Sequence, residues 1–285
     1  MNRSDDAHGA ASVDAKVRKG PLVVVALVGI GLVMAPLVFA MFERAPKGAV
    51  MLDEFRPFMT EERIGRFQGY MEQIDAAVVE SEQEVRPYLA GRAGIDQAEF
   101  DSRFGGFVAF AEEWPGIDAD MSDLLTRVDR SVDNYEAVDA LPPFRLFPWF
   151  FVGPGVLVAG VAGAGLLAPR RRGFFGVLVG LGLALVVTPF AFGMFERAPK
   201  GGEMLTEFET LMTRERVRTI QGYFGSMSVG EGAIRLELVP SLPETGLDDG
   251  ALADEFPAVT ELGDDWVRII NDMTPMIGAM SDHVD

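Results

Sequence analysis

Met41-Phe42-Glu43-Arg44-Ala45-Pro46-Lys47-Gly48 occurs a second time, unchanged, as Met194-Phe195-Glu196-Arg197-Ala198-Pro199-Lys200-Gly201. Each copy stands where a long uncharged apolar run ends and a charged stretch with helical periodicity begins. That position marks the octapeptide as the joint between a membrane-crossing helix and a domain outside the bilayer. Its polar and conformational residues are Glu43, Arg44, Pro46 and Lys47, repeated as Glu196, Arg197, Pro199 and Lys200. The cations suit the headgroup level, where long basic side chains snorkel. Pro46 is expected to redirect the chain and Gly48 to free the next helix. A structural joint accounts for this constancy better than a binding site does.

Three runs, Pro21–Met41, Pro148–Ala168 and Gly173–Met194, contain no Asp, Glu, Lys, Arg or His. Each is long enough, at about 1.5 Å per residue, to cross a hydrocarbon core of roughly 30 Å. Lys16, Arg18 and Lys19 precede the first run, and Arg170, Arg171 and Arg172 separate the second from the third. Basic residues stay on the cytoplasmic side. The layout expected is a cytoplasmic tail (1–20), a span (21–41), an extracytoplasmic segment (42–147), a span (148–168), a cytoplasmic turn (169–172), a span (173–194) and a second extracytoplasmic segment (195–285). Localisation is therefore the plasma membrane, with the N-terminus inside and the C-terminus outside. A signal peptide cleaved after Val38-Phe39-Ala40 is the competing reading. The run is too long for a usual signal core, and it recurs internally, with Gly29, Pro36 and Phe39 falling on Gly182, Pro189 and Phe192.

Charge is distributed accordingly. Residues 42–147 carry 22 acidic and 11 basic side chains, and residues 195–285 carry 18 and 7, in a chain of net charge -18. Such acidity repels nucleic acid. With no cysteine there is no disulfide, thiolate nucleophile or thiolate metal site. The two histidines, His8 and His283, lie near the ends and remove most metal and imidazole chemistry. No metal and no cofactor is expected.

The duplication passes well beyond the joint. At an offset of 153, residues 41–70 match 194–223 at nineteen of thirty positions. After Pro87 and Pro240 the offset becomes 152, and Phe104, Trp114, Asp120-Met121 and Val132-Asp133 recur as Phe256, Trp266, Asp272-Met273 and Val284-Asp285. Both copies run from inside to outside, which predicts a pseudo-twofold axis along the membrane normal. A fourth span, lost, supplied by a partner or lying in a longer chain, is the matching expectation.

Ile64, Phe67, Met71, Ile74 and Val78 follow 3,4 spacing and predict an amphipathic helix that Thr60 caps and Pro87 ends. Asp96-x-x-Glu99 starts a second helical segment. Pro115 is expected to interrupt the stripe Phe104, Phe107, Val108, Ala111, Trp114, before Ile117, Met121, Leu124 and Val128 resume it. Thr213 repeats the cap, while Ala233–Val239 alternates like a short strand or extended loop. The fold class predicted is an all-α membrane protein. It has three transmembrane helices and two repeated helical extracytoplasmic domains, together forming a four-helix-bundle-like ectodomain.

Small residues recur four apart as Gly155, Ala159 and Gly163 in the second span and as Gly176, Gly180 and Ala184 in the third. Such ridges permit close backbone approach. The simpler expectation is that these two spans pack on each other as a hairpin. Gln68-Gly69-Tyr70, repeated as Gln221-Gly222-Tyr223, is the candidate interaction surface, because a helical glycine costs about 1 kcal/mol against alanine and both copies keep it. A tolerated surface glycine is the alternative. Trp114 and Trp266 are expected as core anchors. Asp118, Asp120 and Asp123 lack the glycine and terminal glutamate of a calcium loop. Glu112-Glu113 and Asp264-Asp265 are the carboxylates that an enzyme would have to use. No nucleotide loop, zinc motif or nucleophile elbow appears.

The joint, the Met-Leu-x-x-Phe that follows it and the Gln-Gly-Tyr resemble a group of actinobacterial-type multi-pass membrane proteins. The resemblance covers most of the chain after the N-terminal tail and implies no activity, ligand or site residue. The functional expectation is a non-catalytic scaffold or accessory subunit of a cell-envelope assembly. Its partners would be membrane lipid and another membrane protein or further copies of the chain. A ligand-sensing module acting through a partner is the second reading, and it requires a sizeable cavity between the copies. A membrane-anchored enzyme is the third.

Overall fold

The computed structural model describes residues 20–168, 172–243, 246–247 and 249–283. Among these, every regular element is helical: α1 (Gly20–Val38), α2 (Met41–Phe55), α3 (Glu61–Glu80), α4 (Arg86–Ala93), α5 (Gln97–Arg103), α6 (Gly105–Arg130), α7 (Val132–Asp139), α8 (Phe147–Leu167), α9 (Arg172–Ala191), α10 (Met194–Leu211), α11 (Arg214–Ala233), α12 (Val239–Ser241), α13 (Asp249–Glu255) and α14 (Pro257–Asp282). The basic residues Lys16, Arg18, Lys19, Arg170 and Arg171, on which the orientation rests, lie outside the described residues, as do His8, Val284 and Asp285.

The chain forms two compact units. One runs to Gly48 and resumes over Pro142–Met194; the other comprises Ala49–Leu141 and Phe195–Asp285. In the first, three helices (Gly20–Val38, Phe144–Leu167 and Gly173–Ala191) are long and apolar enough to cross a membrane. The buried positions of α1 are Leu22, Gly29 and Pro36, and those of α8 include Pro148, Gly155 and Ala162. This seven-residue spacing is that of two helices packed along one seam.

In the second unit α3 lies against α6 and α14, and α11 lies against the same two helices, so four long helices close a ring. Their apolar stripes meet inside it, with Ile64, Phe67, Met71 and Ile74 from α3 and Phe107, Trp114, Met121 and Leu125 from α6 all buried. Thr60 accepts from the Arg63 amide at 3.2 Å and Thr213 from the Arg216 amide at 3.1 Å, the cap bonds expected at both helix starts. Glu80 accepts from the free amides of Ala258 and Val259 at 3.2 and 2.7 Å, so a carboxylate meets the positive end of α14.

Several local expectations are corrected. Pro46 does not redirect the chain, nor does Gly48 release it: both lie inside α2, as Pro199 lies inside α10. The bend falls just before the motif, at Ala40 (φ 51) and Gly193 (φ 61), each of which enters the left-handed region. Pro87 does not end its helix. A π-turn over Ser81–Val85 precedes it, and another over Ile234–Leu238 precedes Pro240. The amide of Arg86 bonds to the Ser81 carbonyl and that of Val239 to the Ile234 carbonyl. This wider ring lets the chain stay helical beside a proline that has no N–H to give. The same turn replaces the strand or loop expected over Ala233–Val239. Pro115 likewise sits inside an uninterrupted α6.

Candidate functional site

The recurring polar residues are brought together along the seams of the four-helix ring. From α3, the Tyr70 hydroxyl donates to Asp272 of α14 at 2.8 Å. Arg63 donates to the Asp272 carbonyl oxygen at 2.9 Å and lies 3.4 Å from its carboxylate, and Arg66 approaches the same carboxylate at 3.3 Å. From α11, Tyr223 donates to Asp120 of α6 at 2.8 Å and Arg216 at 2.5 Å. A further contact recurs beside each: Gln73 donates to Asp265 at 3.1 Å and Ser226 to Glu113 at 3.0 Å. By the sequence register, Arg63, Tyr70, Gln73, Asp265 and Asp272 correspond to Arg216, Tyr223, Ser226, Glu113 and Asp120. Each segment thus supplies the cation and phenol to one seam and the carboxylates to the other.

The electrostatics follow from this geometry. The Arg216 guanidinium and the Tyr223 hydroxyl hold the Asp120 carboxyl below the usual carboxylate range. The Tyr70 hydroxyl, with Arg63 and Arg66, does the same for Asp272. The Tyr70 phenol is pushed up by burial and by its bond to Asp272, and that of Tyr223 by its bond to Asp120 and by burial. Both carboxylates therefore carry charge at neutral pH and both phenols keep their protons.

Between the seams the core is closely filled. The Phe55 and Phe208 rings, at corresponding places in the two segments, meet edge to face with centroids 5.6 Å apart. The space beside them, lined by Phe67, Leu125, Leu211 and Met276 among others, has a volume of about 40 Å³. Sites for drug-sized ligands run to about 300–1,000 Å³. A more open groove of about 320 Å³ lies between α3 and α6, lined by Gln68, Met71, Glu72, Asp75, Asp118 and Ser122. Asp75 accepts from the Trp114 indole at 2.9 Å, and burial followed by the Asp75 charge pushes the Asp118 carboxyl up. The corresponding residues of the second segment include Phe224, Gly225, Ser228 and Ile270, which carry no charge.

The structure separates the members of the candidate interaction surface. Tyr70 is a buried seam residue, Gln68 lines the groove, and Gly69 is exposed with nothing within 4 Å of a Cβ placed there. Gly222 is equally open, Gln221 is exposed, and Tyr223 is half-buried in its seam. Neither glycine admits a neighbouring helix of the chain. Trp114 and Trp266 are buried, as expected. Glu112, Glu113 and Asp264 are exposed and Asp265 half-buried; Glu113 and Asp265 accept seam bonds, Asp265 also from Arg268 at 2.5 Å. Among the described residues no group of three or more His, Asp or Glu is placed to hold a metal ion. Of the joint residues, Glu43, Arg44, Pro46, Lys47, Glu196, Pro199 and Lys200 are exposed, while Arg197 donates to the Ala140 carbonyl at 3.0 Å.

In the apolar unit the tight pair is α1 with α8; the expected contact of α8 with α9 is present but looser, through Phe174 beside Gly165 and the Phe150 and Phe192 rings 6.1 Å apart. A Cβ on Gly29 would lie 2.6 Å from the Ala159 nitrogen, and one on Gly155 would lie 2.8 Å from the Gly29 carbonyl oxygen. The ridge of Gly155 and Ala159 thus serves α1. Gly163, Gly176 and Gly180 have nothing within 4 Å of an added Cβ, and Ala184 is exposed.

Sequence alone names no partner for Arg63, Arg216 or Asp272 and weighs Asp120 only as a calcium ligand, although a signal is present. They recur in both segments while most neighbouring polar positions have drifted. Compared with protein-family models, with curated proteins and with solved structures, the chain matches none. The architecture itself defines the class: among the described residues every regular element is helical, and three helices are long and apolar enough to cross a membrane.

Proposed function

We propose that the chain is a non-catalytic integral membrane protein of the cell envelope, serving as a scaffold or accessory subunit of a larger assembly. Its two acidic segments stand outside the membrane and associate about a pseudo-twofold axis into one four-helix unit. The supporting observation is the reciprocal seam. The recurring charged residues Arg63, Arg216, Asp120 and Asp272 are engaged in holding helix to helix. In this reading the duplicated segment is a rigid prop, and the exposed acidic surface is what a partner meets.

A ligand-sensing role would need a chamber between the two segments. The core around Phe55 and Phe208 is filled, with a gap of about 40 Å³, and the groove of about 420 Å³ between α6 and α11, lined by Ile117, Gly222, Tyr223 and Ser226 among others, is open to solvent rather than enclosed, which favours the scaffold reading.

Two measurements on the full chain test the proposal. Because there is no native cysteine, Ala119→Cys gives a unique label on an exposed residue of α6. A membrane-impermeant maleimide added to intact cells should modify it; labelling only after lysis would overturn the orientation. Native mass analysis in mild detergent should then show a species larger than the 31.0 kDa chain and its detergent. A lone monomer under conditions that preserve other membrane complexes would overturn the assembly role.

A further inference from the structure

We infer that the joint end of the apolar unit is a binding site for a phospholipid with an anionic, amine-free headgroup. Its charge is set by the sequence. In the described part of this unit Glu43 is the one carboxylate, and Arg44, Lys47 and Arg145 stand with it at the same end. All three cations are exposed, and among the described residues none of them makes an ion pair or a side-chain hydrogen bond. In a chain with 43 acidic side chains against 25 basic ones, cations left without an acid mark a place that the acidic surface does not reach. The counterpart of Arg44 is Arg197, which donates to the Ala140 carbonyl at 3.0 Å. The same motif therefore uses its arginine internally in the second copy and leaves it free in the first.

The fold gathers these cations around an exposed aromatic pair. The Phe42 ring meets the Trp149 ring edge to face, with centroids 5.6 Å apart. Arg145 precedes Trp149 by four residues, and Arg44 and Lys47 follow Phe42 by two and five. All three thus sit within about 8 Å of the pair along their helices. The turn that carries Arg145, Phe144–Leu146, is held by a ladder of rings, Phe144 on Phe147 and Phe147 on Phe150, at 5.1 and 6.1 Å. Trp149 is 58% exposed, and its indole N–H has no acceptor among the described residues, whereas that of Trp114 donates to Asp75.

Position and chemistry together specify the occupant. The site lies where α1 gives way to α2 and where α8 begins, at the end of helices long and apolar enough to cross a bilayer. That is headgroup depth, where a tryptophan sets its ring among the upper acyl chains and its N–H in the polar layer. The two guanidiniums and the ammonium are donors without acceptors, and a phosphodiester supplies oxygens for charge-assisted bonds to them. Choline or ethanolamine would bring another cation to an end that already holds an excess. The headgroup is therefore one without an amine, as in phosphatidylglycerol. The inference rests on the membrane reading above and adds to it the class of lipid.

The test places the full chain in phosphatidylcholine vesicles containing a rising fraction of phosphatidylglycerol, or of phosphatidylcholine, whose chains are brominated near the glycerol. Bromine quenches tryptophan at short range, and Trp149→Phe gives the background from the buried Trp114 and Trp266. Half-quenching of Trp149 should need about fivefold less brominated phosphatidylglycerol than brominated phosphatidylcholine. Arg44→Gln with Lys47→Gln and Arg145→Gln should bring the two lipids level. Arg92→Gln with Arg214→Gln and Arg218→Gln removes as much charge from exposed residues outside the apolar unit and should leave the preference intact. Excess soluble glycerol phosphate should leave it intact as well. Equal quenching by the two lipids in the unaltered chain, loss of preference in both triple variants, or displacement by glycerol phosphate would each overturn the inference alone. Quenching by neither lipid would overturn the membrane reading with it.

Discussion

The Tyr70 hydroxyl donates to Asp272 at 2.8 Å, joining positions 202 residues apart, and the corresponding Tyr223 donates to Asp120 at the same distance. A hydrogen bond to a charged acceptor contributes about 1.5–3 kcal/mol when partly buried. Tyr70→Phe and Tyr223→Phe should each destabilise the four-helix unit, by about 1–2 kcal/mol since an arginine remains on each carboxylate. The two bonds share no partner, so the double substitution should cost nearly the sum. Denaturant unfolding of the four proteins, followed by Trp114 and Trp266 fluorescence, gives the comparison.

The seam carboxylates also set an acid limit. Asp120 and Asp272 have folded-state values below their unfolded ones. Their stabilisation is therefore present above the unfolded carboxylate value near about 3.9 and is lost as pH falls through the lower folded values. Unfolding midpoints measured downward from pH 7 should stay level on this account and then fall steeply in the acid range. Asp120→Asn with Asp272→Asn should lower stability at neutral pH and remove much of that acid slope. An unchanged slope would mean that the seams do not govern acid unfolding.

Asp118 has the opposite sign. Burial and the neighbouring Asp75 charge raise its folded value, so ionisation opposes folding as pH rises from the unfolded value through the folded one. Asp118→Asn should make the unit more stable at pH 7 and leave it unchanged well below the carboxylate range. The second segment already carries an uncharged Ile270 at this place. Comparing thermal midpoints at neutral and acid pH separates this effect from any change in packing.

How much of this was legible depends on which force fixed each feature. Length and the absence of charge mark α1, α8 and α9, and the 3,4 stripes mark α3 and α6, because burial of an apolar face dominates there. The proline effects were misread. Pro87 reads as a stop, yet a π-turn accommodates it, as another does Pro240, since packing of Val85 and Leu238 into the core outweighs one awkward turn. The α1–α8 pairing was hidden because small residues occur on several faces, and sequence spacing does not say which ridge finds a partner. Tyr70 and Asp272 were visible as recurring residues, but their meeting depends on the helix ring, which no local pattern encodes.

The bend before each joint gives a backbone prediction. Ala40 holds φ 51 where its counterpart is Gly193 at φ 61. A left-handed conformation costs an L-residue about 1–2 kcal/mol and glycine little. Ala40→Gly should raise the unfolding temperature in detergent, although the added freedom of the unfolded chain offsets part of the gain. Gly193→Ala should lower it. Opposite signs would place the bend elsewhere.

Gly230 and Phe110 test the packing of the ring most directly. A Cβ on Gly230 would collide with the Phe110 ring. At the corresponding places the chain has Ala77 and Leu262, a larger residue set with a smaller one. Gly230→Ala should therefore cost about 1–3 kcal/mol by overpacking, despite the gain in helix propensity that the same change brings at an open site. Phe110→Leu alone should also destabilise, by opening space beside Gly230. Combined, the two substitutions recreate the Ala77–Leu262 combination and should recover most of the loss, giving a favourable coupling of about 1 kcal/mol or more in a double-mutant cycle. Gly222→Ala is the internal control: nothing lies within 4 Å of its added Cβ, so that change should be neutral or stabilising. Additive costs at Gly230 and Phe110 would show that the two side-chain positions do not share one space in the folded protein.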